Sequence, residues 1–363
     1  MILLMKNNAT DAEISRLQER LQFMGFESCF SSEDNHKTIA IIGGIDKLTH
    51  IDLFSEMAIV DKILPFQEKY KLVGRGIKKF NTVIRIKDKE IGGGAFTIMA
   101  GPCTIESKAQ MFAIAKAVSE RGATILRGGA FKPRTSPYEF QGLGEEGLRY
   151  MREAADHYNM LCISEVMSAE DVQLVEQYVD ILQIGARNMQ NFSLLKSVGK
   201  SKVPVLLKRG LCATYKEFLL AAEYIVSCGN PNVILCERGI RTFETMSRNT
   251  LDIAAVPILR EITHLPIIVD PSHGTGLRHI VGPMAFAAMA VKADGLIVEV
   301  HTDPDKSICD AQQTISPQMF SEIMEGLRKI GNAVNMTLAG TPTEDDSTRP
   351  MKQLNCTQHE VTQ

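Results

Sequence analysis

The sequence has 363 residues, 44% of them apolar and 23% charged, with a formal net charge of −3. That is the composition of a soluble globular protein with about two domains, or one large barrel with an appendage. It excludes a global basic field for nucleic acid, and no apolar run approaches the ~18–20 residues that cross a bilayer. The eight cysteines are scattered without a Cys-x-x-Cys pair, which argues for reduced thiols in the cytoplasm.

In chain order, Ile2–Met5 reads as a strand, and Thr10-Asp-Ala-Glu13 as a capping box. The following helix places Ile14, Leu17 and Leu21 on one face and stops near Gly25. Phe26–Phe30 and Thr38–Ile42 are the next expected strands, joined by a polar turn, Ser31 to His36. A short helix near Lys47–Ser55 and a strand near Ala58–Leu64 complete a βαββαβ order over residues 1–65, which is ferredoxin-like. Residues 66–94 form a basic connector, read as a solvated face carrying Lys69, Lys71, Arg75, Lys78 and Lys79. A hairpin of Thr82–Ile86 and Glu90–Ile91 follows, and Gly92-Gly93-Gly94 marks the domain edge.

From residue 95 to 340 apolar strands alternate with room for helices. The strands expected are Phe96–Ala100, Ala123–Leu126, Leu161–Ser164, Asp180–Ile184, Pro204–Leu207, Val233–Cys236, Pro266–Val269 and Gly295–Val298. Helix starts are signalled by Ser168 to Asp171, by the Thr214–Glu217 capping box and by Ser316-Pro317. This is the pattern of a (β/α)8 TIM barrel; a doubly wound sheet would carry a Gly-x-Gly-x-x-Gly turn after its first strand, absent here. Residues 341–363, rich in Thr, Asp, Glu, Gln and Pro, read as a disordered tail.

In such barrels chemistry sits at the C-terminal strand ends. Those ends hold Cys103, Arg127 with Lys132, Glu165, Arg187, Lys208 with Arg209, Glu237 with Arg238, His273 and Glu299. The cations Arg127, Lys132, Arg134, Arg187, Lys208 and Arg238 form a positive basin suited to two phosphorylated groups, or to a phosphate plus a carboxylate. Arg209, next to Lys208, points elsewhere. Cys103, His273 and Glu299, with Asp310 from the loop after strand eight, can bind one divalent first-row metal, leaving manganese, iron, cobalt, zinc and copper open. His301 is read as a satisfied polar contact, the other histidines as surface or structural, and the cysteines other than Cys103 as without chemistry.

Lys132-Pro-Arg-Thr-Ser136, Gly101-Pro-Cys103, Ile184-Gly-Ala-Arg187, Leu207-Lys-Arg-Gly210, Glu237-Arg-Gly239, Asp270-Pro-Ser-His273 and Val298-Glu-Val-His301 together resemble 3-deoxy-D-arabino-heptulosonate 7-phosphate (DAHP) synthase. The form resembled is type Iβ, with an N-terminal ferredoxin-like, ACT-related regulatory domain. The resemblance spans residues 1–340 and implies condensation of phosphoenolpyruvate with erythrose 4-phosphate, the first step of the shikimate pathway. It implies Cys103, His273, Glu299 and Asp310 as metal ligands, and Arg127, Lys132, Arg187, Lys208 and Arg238 as phosphoenolpyruvate ligands. Arg134, Thr135 and Ser136 would hold erythrose 4-phosphate, with Asp270 nearby. Lys132, its pKa expected to be lowered by neighbouring cations, is the candidate acid, with Cys103 and His273 also in the catalytic set. Feedback inhibition by tyrosine or phenylalanine and a cytoplasmic homo-oligomer, a tetramer favoured, are further expectations.

One rival is 3-deoxy-D-manno-octulosonate 8-phosphate synthase, whose members resemble Lys-Ala-Asn-Arg-Ser where this chain has Lys132-Pro-Arg-Thr-Ser136, and generally lack the N-terminal extension. A non-catalytic amino-acid sensor is a rival of another class, expected to have lost a ligand or a cation; none is missing here.

Overall fold

The computed structural model describes residues 2–33, 36–41, 54, 57–64, 70–132 and 138–340. Near the N-terminus, β1 (Ile2–Met5), β2 (Ser28–Glu33), β3 (His36–Ile41) and β4 (Val60–Leu64) form an antiparallel sheet in the order β2-β3-β1-β4. The helix Asp11–Phe23 opens at the expected capping box and buries Ile14, Leu17 and Leu21 in one cluster with Leu3, Ile39 and Ile41. The stretch expected as an open polar turn is mostly paired instead, with Ser31 opposite Thr38 and Glu33 opposite His36. Because β2 is an edge strand, one side of which needs no apolar partner, its polarity did not preclude pairing. The helix expected over Lys47–Ser55 lies, Phe54 apart, outside the described residues, as does 341–363.

The basic connector is fastened down instead of being a free solvated face. The Glu223 carboxylate accepts from the backbone N–H groups of Lys71, Leu72 and Val73 at 2.8–3.0 Å. Arg75 Nε donates to the Arg260 carbonyl at 2.8 Å. The hairpin β5 (Ile84–Ile86) and β6 (Lys89–Ile91) then contributes Ile84, Ile86 and Ile91 to the cluster inside the barrel.

That barrel is closed and parallel. Its strands are β7 (Thr97–Gly101), β8 (Ile125–Arg127), β9 (Leu161–Glu165), β10 (Ile181–Ile184), β11 (Val205–Lys208), β12 (Val233–Glu237), β13 (Ile267–Val269) and β14 (Gly295–Glu299). Alternate residues face opposite ways. One set, such as Ile98, Leu126, Leu182, Leu207 and Val298, packs with helix residues such as Met111, Leu148 and Phe218. The other set, including Met99, Ile125, Ile163, Leu206, Cys236, Ile268 and Ile297, fills the interior. Two residues beyond an interior side chain the chain again faces inward, now at the rim. Ile125, Ile163, Leu206, Cys236, Ile268 and Ile297 thereby place Arg127, Glu165, Lys208, Arg238, Asp270 and Glu299. The β7 end needs glycine at 101, since a Cβ there would lie 2.0 Å from the Arg127 carbonyl oxygen.

Candidate active site

The rim surrounds a cavity of about 320 Å³. Arg127, Lys132, Arg187, Lys208 and Arg238 line it, joined by Arg241 and Arg248, with Glu139, Glu165 and Asp310 as its carboxylates. The expected phosphoenolpyruvate ligands therefore share one cavity. Pro133, Arg134, Thr135 and Ser136 lie outside the described residues.

Beside the cavity, Cys103, Glu299 and Asp310 offer donor atoms all within 4.8 Å of one another, and of the three Asp310 lines it. Cys103 Sγ is 3.5 Å from Asp310 Oδ2. His273 Nε2 lies 3.3 Å from Glu299 Oε1 and 3.9 Å from Asp310 Oδ2. Its Nδ1 is 2.8 Å from Asp270 Oδ2, so Nδ1–H donates to that carboxylate and Nε2 keeps its lone pair. Burial would raise the Glu299 carboxyl, but His273, Arg127 and Lys132 outweigh it and hold it at about 2. Burial also keeps the His273 imidazole below its ordinary pKa, despite Asp270 and Glu299. The Nε2 atom thus faces one oxygen of Glu299 and one of Asp310. This sulfur, nitrogen and oxygen set fits a divalent metal.

The cationic side is partly neutralised within the protein. Arg127 Nη1 donates to Glu299 Oε1 at 2.9 Å, and Lys208 Nζ to Asp270 Oδ2 at 2.6 Å. Asp270 is 1% exposed, and besides Lys208 and the His273 ring it accepts from the His273 backbone N–H. Like Cys103 and Glu299 it is absent from the cavity lining, and its contacts orient His273. Arg209 does point elsewhere, pairing with Glu237 and Asp252 at 2.8 Å.

Lys132 Nζ donates to the Cys103 carbonyl at 2.9 Å and lies 3.2 Å from Cys103 Sγ. Its pKa is raised, contrary to the expectation. Burial and Arg127 pull it down, but Cys103, Glu299 and Glu165 outweigh them. Counting only the cations had left out the carboxylates Glu299 and Glu165. A hydrogen bond with Cys309, burial and Glu299 push the Cys103 thiol well above its ordinary value. Cys309 also lines the cavity. His301 is buried, yet its Nε2 has no hydrogen-bond partner among the described residues and stands 3.6 Å from Glu106 Oε2. Arg241, Arg248 and Gln313 were missed by the sequence reading; they sit in loops, where no strand parity signals their direction.

The profile of the DAHP synthetase I family matches residues 81–335, and that of the DAHP synthase ferredoxin-like domain matches residues 1–68. The chain belongs to the DAHP synthetase I family. It is 46% identical to the phospho-2-dehydro-3-deoxyheptonate aldolase of Thermotoga maritima, over 93% of this chain and 99% of that one. A crystal structure of a DAHP synthase from that organism matches with a TM-score of 0.75, covering 93% of this chain and 98% of the other. A truncated form of the 3-deoxy-D-arabino-heptulosonate 7-phosphate synthase from Thermotoga maritima matches 74% of this chain at 48% identity, with a TM-score of 0.70. The 2-dehydro-3-deoxyphosphooctonate aldolase of Geobacter sulfurreducens is 31% identical over 68% of this chain. That shorter coverage, with the N-terminal domain match, separates the chain from the octulosonate rival expected from sequence.

Proposed function

We propose that the chain condenses phosphoenolpyruvate with erythrose 4-phosphate and water, giving DAHP and phosphate, and that it does so with one divalent metal. The observation that carries this is the juxtaposition of the Cys103, Glu299 and Asp310 donors, with His273 Nε2 beside the two carboxylates, and a cationic cavity at one barrel rim, in a chain 46% identical to a heptulosonate aldolase. Cys103, His273, Glu299 and Asp310 would hold the metal, which supplies Lewis acidity for the aldehyde or for water.

The remaining work falls to the protein's own groups. Arg187 and Arg238 receive the enolpyruvyl phosphate, while Arg127 and Lys208, fixed by Glu299 and Asp270, supply further positive charge. Holding two mutually repelling anions in register removes much of the entropic cost of the encounter. The vinyl C3 forms the new carbon–carbon bond to the aldehyde carbon, water adds at C2 and gives up a proton, and the resulting tetrahedral C2 breaks its bond to the phosphate oxygen, releasing inorganic phosphate and leaving the ketone. Lys132, kept as an ammonium, donates its proton to the alkoxide oxygen that develops. Arg134, Thr135 and Ser136 remain our candidates for the erythrose phosphate.

We further propose that residues 1–65 form a regulatory domain responding to tyrosine or phenylalanine, followed by a connector to residue 94 and the catalytic barrel. A cytoplasmic homo-oligomer, a tetramer favoured, completes the reading. The test is an assay of product formation from phosphoenolpyruvate with erythrose 4-phosphate or arabinose 5-phosphate, before and after chelation. We expect product with the four-carbon sugar, its loss on chelation and its return on adding a divalent metal. Full activity in metal-free protein, or preference for the pentose, would overturn the proposal.

A further inference from the structure

Two side chains outside the donor cluster reach its carboxylates, Gln313 touching Glu299 and Arg248 touching Asp310. Gln313 is 2% exposed and uses both ends of its amide. Its Nε2 donates to Glu299 Oε2 at 2.6 Å, and its Oε1 accepts from Arg248 Nη1 at 2.8 Å. The same arginine nitrogen donates to Asp310 Oδ1 at 3.2 Å. The division of oxygens is consistent in both carboxylates. Glu299 Oε2 and Asp310 Oδ1 are taken by the bridge. Glu299 Oε1, which also accepts from Arg127 Nη1, and Asp310 Oδ2, 3.5 Å from Cys103 Sγ, are the oxygens that face His273 Nε2.

The bridge is itself anchored. Segment 240–250 is closed at its base by reciprocal Ile240–Thr250 backbone bonds of 2.9 Å. Arg248 N–H donates to the Thr275 carbonyl and Asn249 Nδ2 to the His273 carbonyl, both at 2.9 Å, tying the segment to the helix Pro271–Thr275. Gly276, at φ +71°, allows this approach, since a Cβ there would lie 2.5 Å from Arg248 Cβ. Asp310 has φ +52°, a conformation unfavourable for a residue with a Cβ. The turn that holds it there has Gln313 N–H, Thr314 N–H and the Thr314 hydroxyl donating to its carbonyl at 3.0–3.2 Å.

We propose that Arg248 and Gln313 are positioning residues which lock one oxygen of Asp310 and one of Glu299, leaving the other oxygen of each aimed at the metal position. This rests on the metal-dependent reading above. The competing role for Arg248, which also lines the cavity, is direct contact with a substrate phosphate.

The test is Mn²⁺ titration of the full-length chain, read by the electron paramagnetic resonance of free ion, together with separate KM and kcat measurements at saturating metal. Arg248→Ala and Gln313→Leu should each weaken Mn²⁺ binding by about 10–100-fold, the usual effect of removing an outer-shell partner. Arg248→Lys should recover part of the loss, and saturating metal should leave KM for both substrates near the unsubstituted value. Arg248 is 40% exposed, so its variants carry the test even if Gln313→Leu fails to fold. Unchanged Mn²⁺ affinity in Arg248→Ala, with or without a raised KM, would overturn the inference. Failure of the unsubstituted protein to bind Mn²⁺ would instead overturn the metal reading, and this inference with it.

Discussion

Lys132 shows how one side chain at the rim acquires its role. Its ammonium is held between the Cys103 carbonyl and sulfur, and the anions beside it outweigh burial and Arg127. A proton is therefore available there throughout the neutral range. Lys132→Met keeps the length of the side chain but removes the proton and the charge. We expect product formation to fall by at least about a hundredfold, the scale on which a general acid contributes, with an unchanged circular dichroism spectrum. Near-normal turnover would remove Lys132 from the mechanism. At this scale the sequence was legible wherever a strand fixed the direction of a side chain, as for Arg127, Lys208, Arg238 and Glu299. It was not legible for Gln313 and Arg248, which are set by loops, or for the pKa of Lys132, which depends on anions brought from distant strands.

Elements below the rim show why residues 70–91 belong with the barrel. The hairpin side chains Ile84, Ile86 and Ile91 share a cluster with interior residues Met99, Ile125 and Ile297. His264 holds the connector on. Its Nδ1 is 2.7 Å from the Thr82 hydroxyl and its Nε2 2.8 Å from the Leu72 carbonyl, an arrangement suited to the neutral ring. Burial first, then Lys78 and Arg75, lower its pKa to about 4. In the unfolded chain the ring takes its proton near pH 6.5. Stability from the neutral ring is thus complete above about pH 6.5 and is lost as the pH falls toward 4. Its upper bound is about 3 kcal/mol, from ~1.36 kcal/mol per pKa unit. Thermal melts between pH 7 and 4.5 should show a smaller decline in His264→Gln than in the unsubstituted protein; equal slopes would exclude this role. Hairpin and strands were readable from apolar alternation. Fastening by Glu223 was not, because a run of lysines looks the same whether its backbone N–H groups meet water or a carboxylate.

Across the whole molecule, the ferredoxin-like order and the barrel order both follow from element sequence. The alternation of long apolar strands with helix-length gaps leaves few other closed arrangements. Exact ends were less readable: β2 and β3 extend into a stretch whose polarity resembled a loop. If residues 1–65 regulate the barrel without building the cavity, their deletion should abolish inhibition by tyrosine or phenylalanine and retain turnover. An inhibition curve unchanged by the deletion would contradict the regulatory assignment.

The most direct measurement is a crystal structure of the protein with Mn²⁺ and phosphoenolpyruvate, the ion located by its anomalous scattering. The account predicts one metal peak about 2.0–2.5 Å from Cys103 Sγ, His273 Nε2 and an oxygen each of Glu299 and Asp310. It places the ligand phosphate against Arg187 and Arg238. A peak elsewhere, or a phosphate seated away from those two arginines, would contradict it.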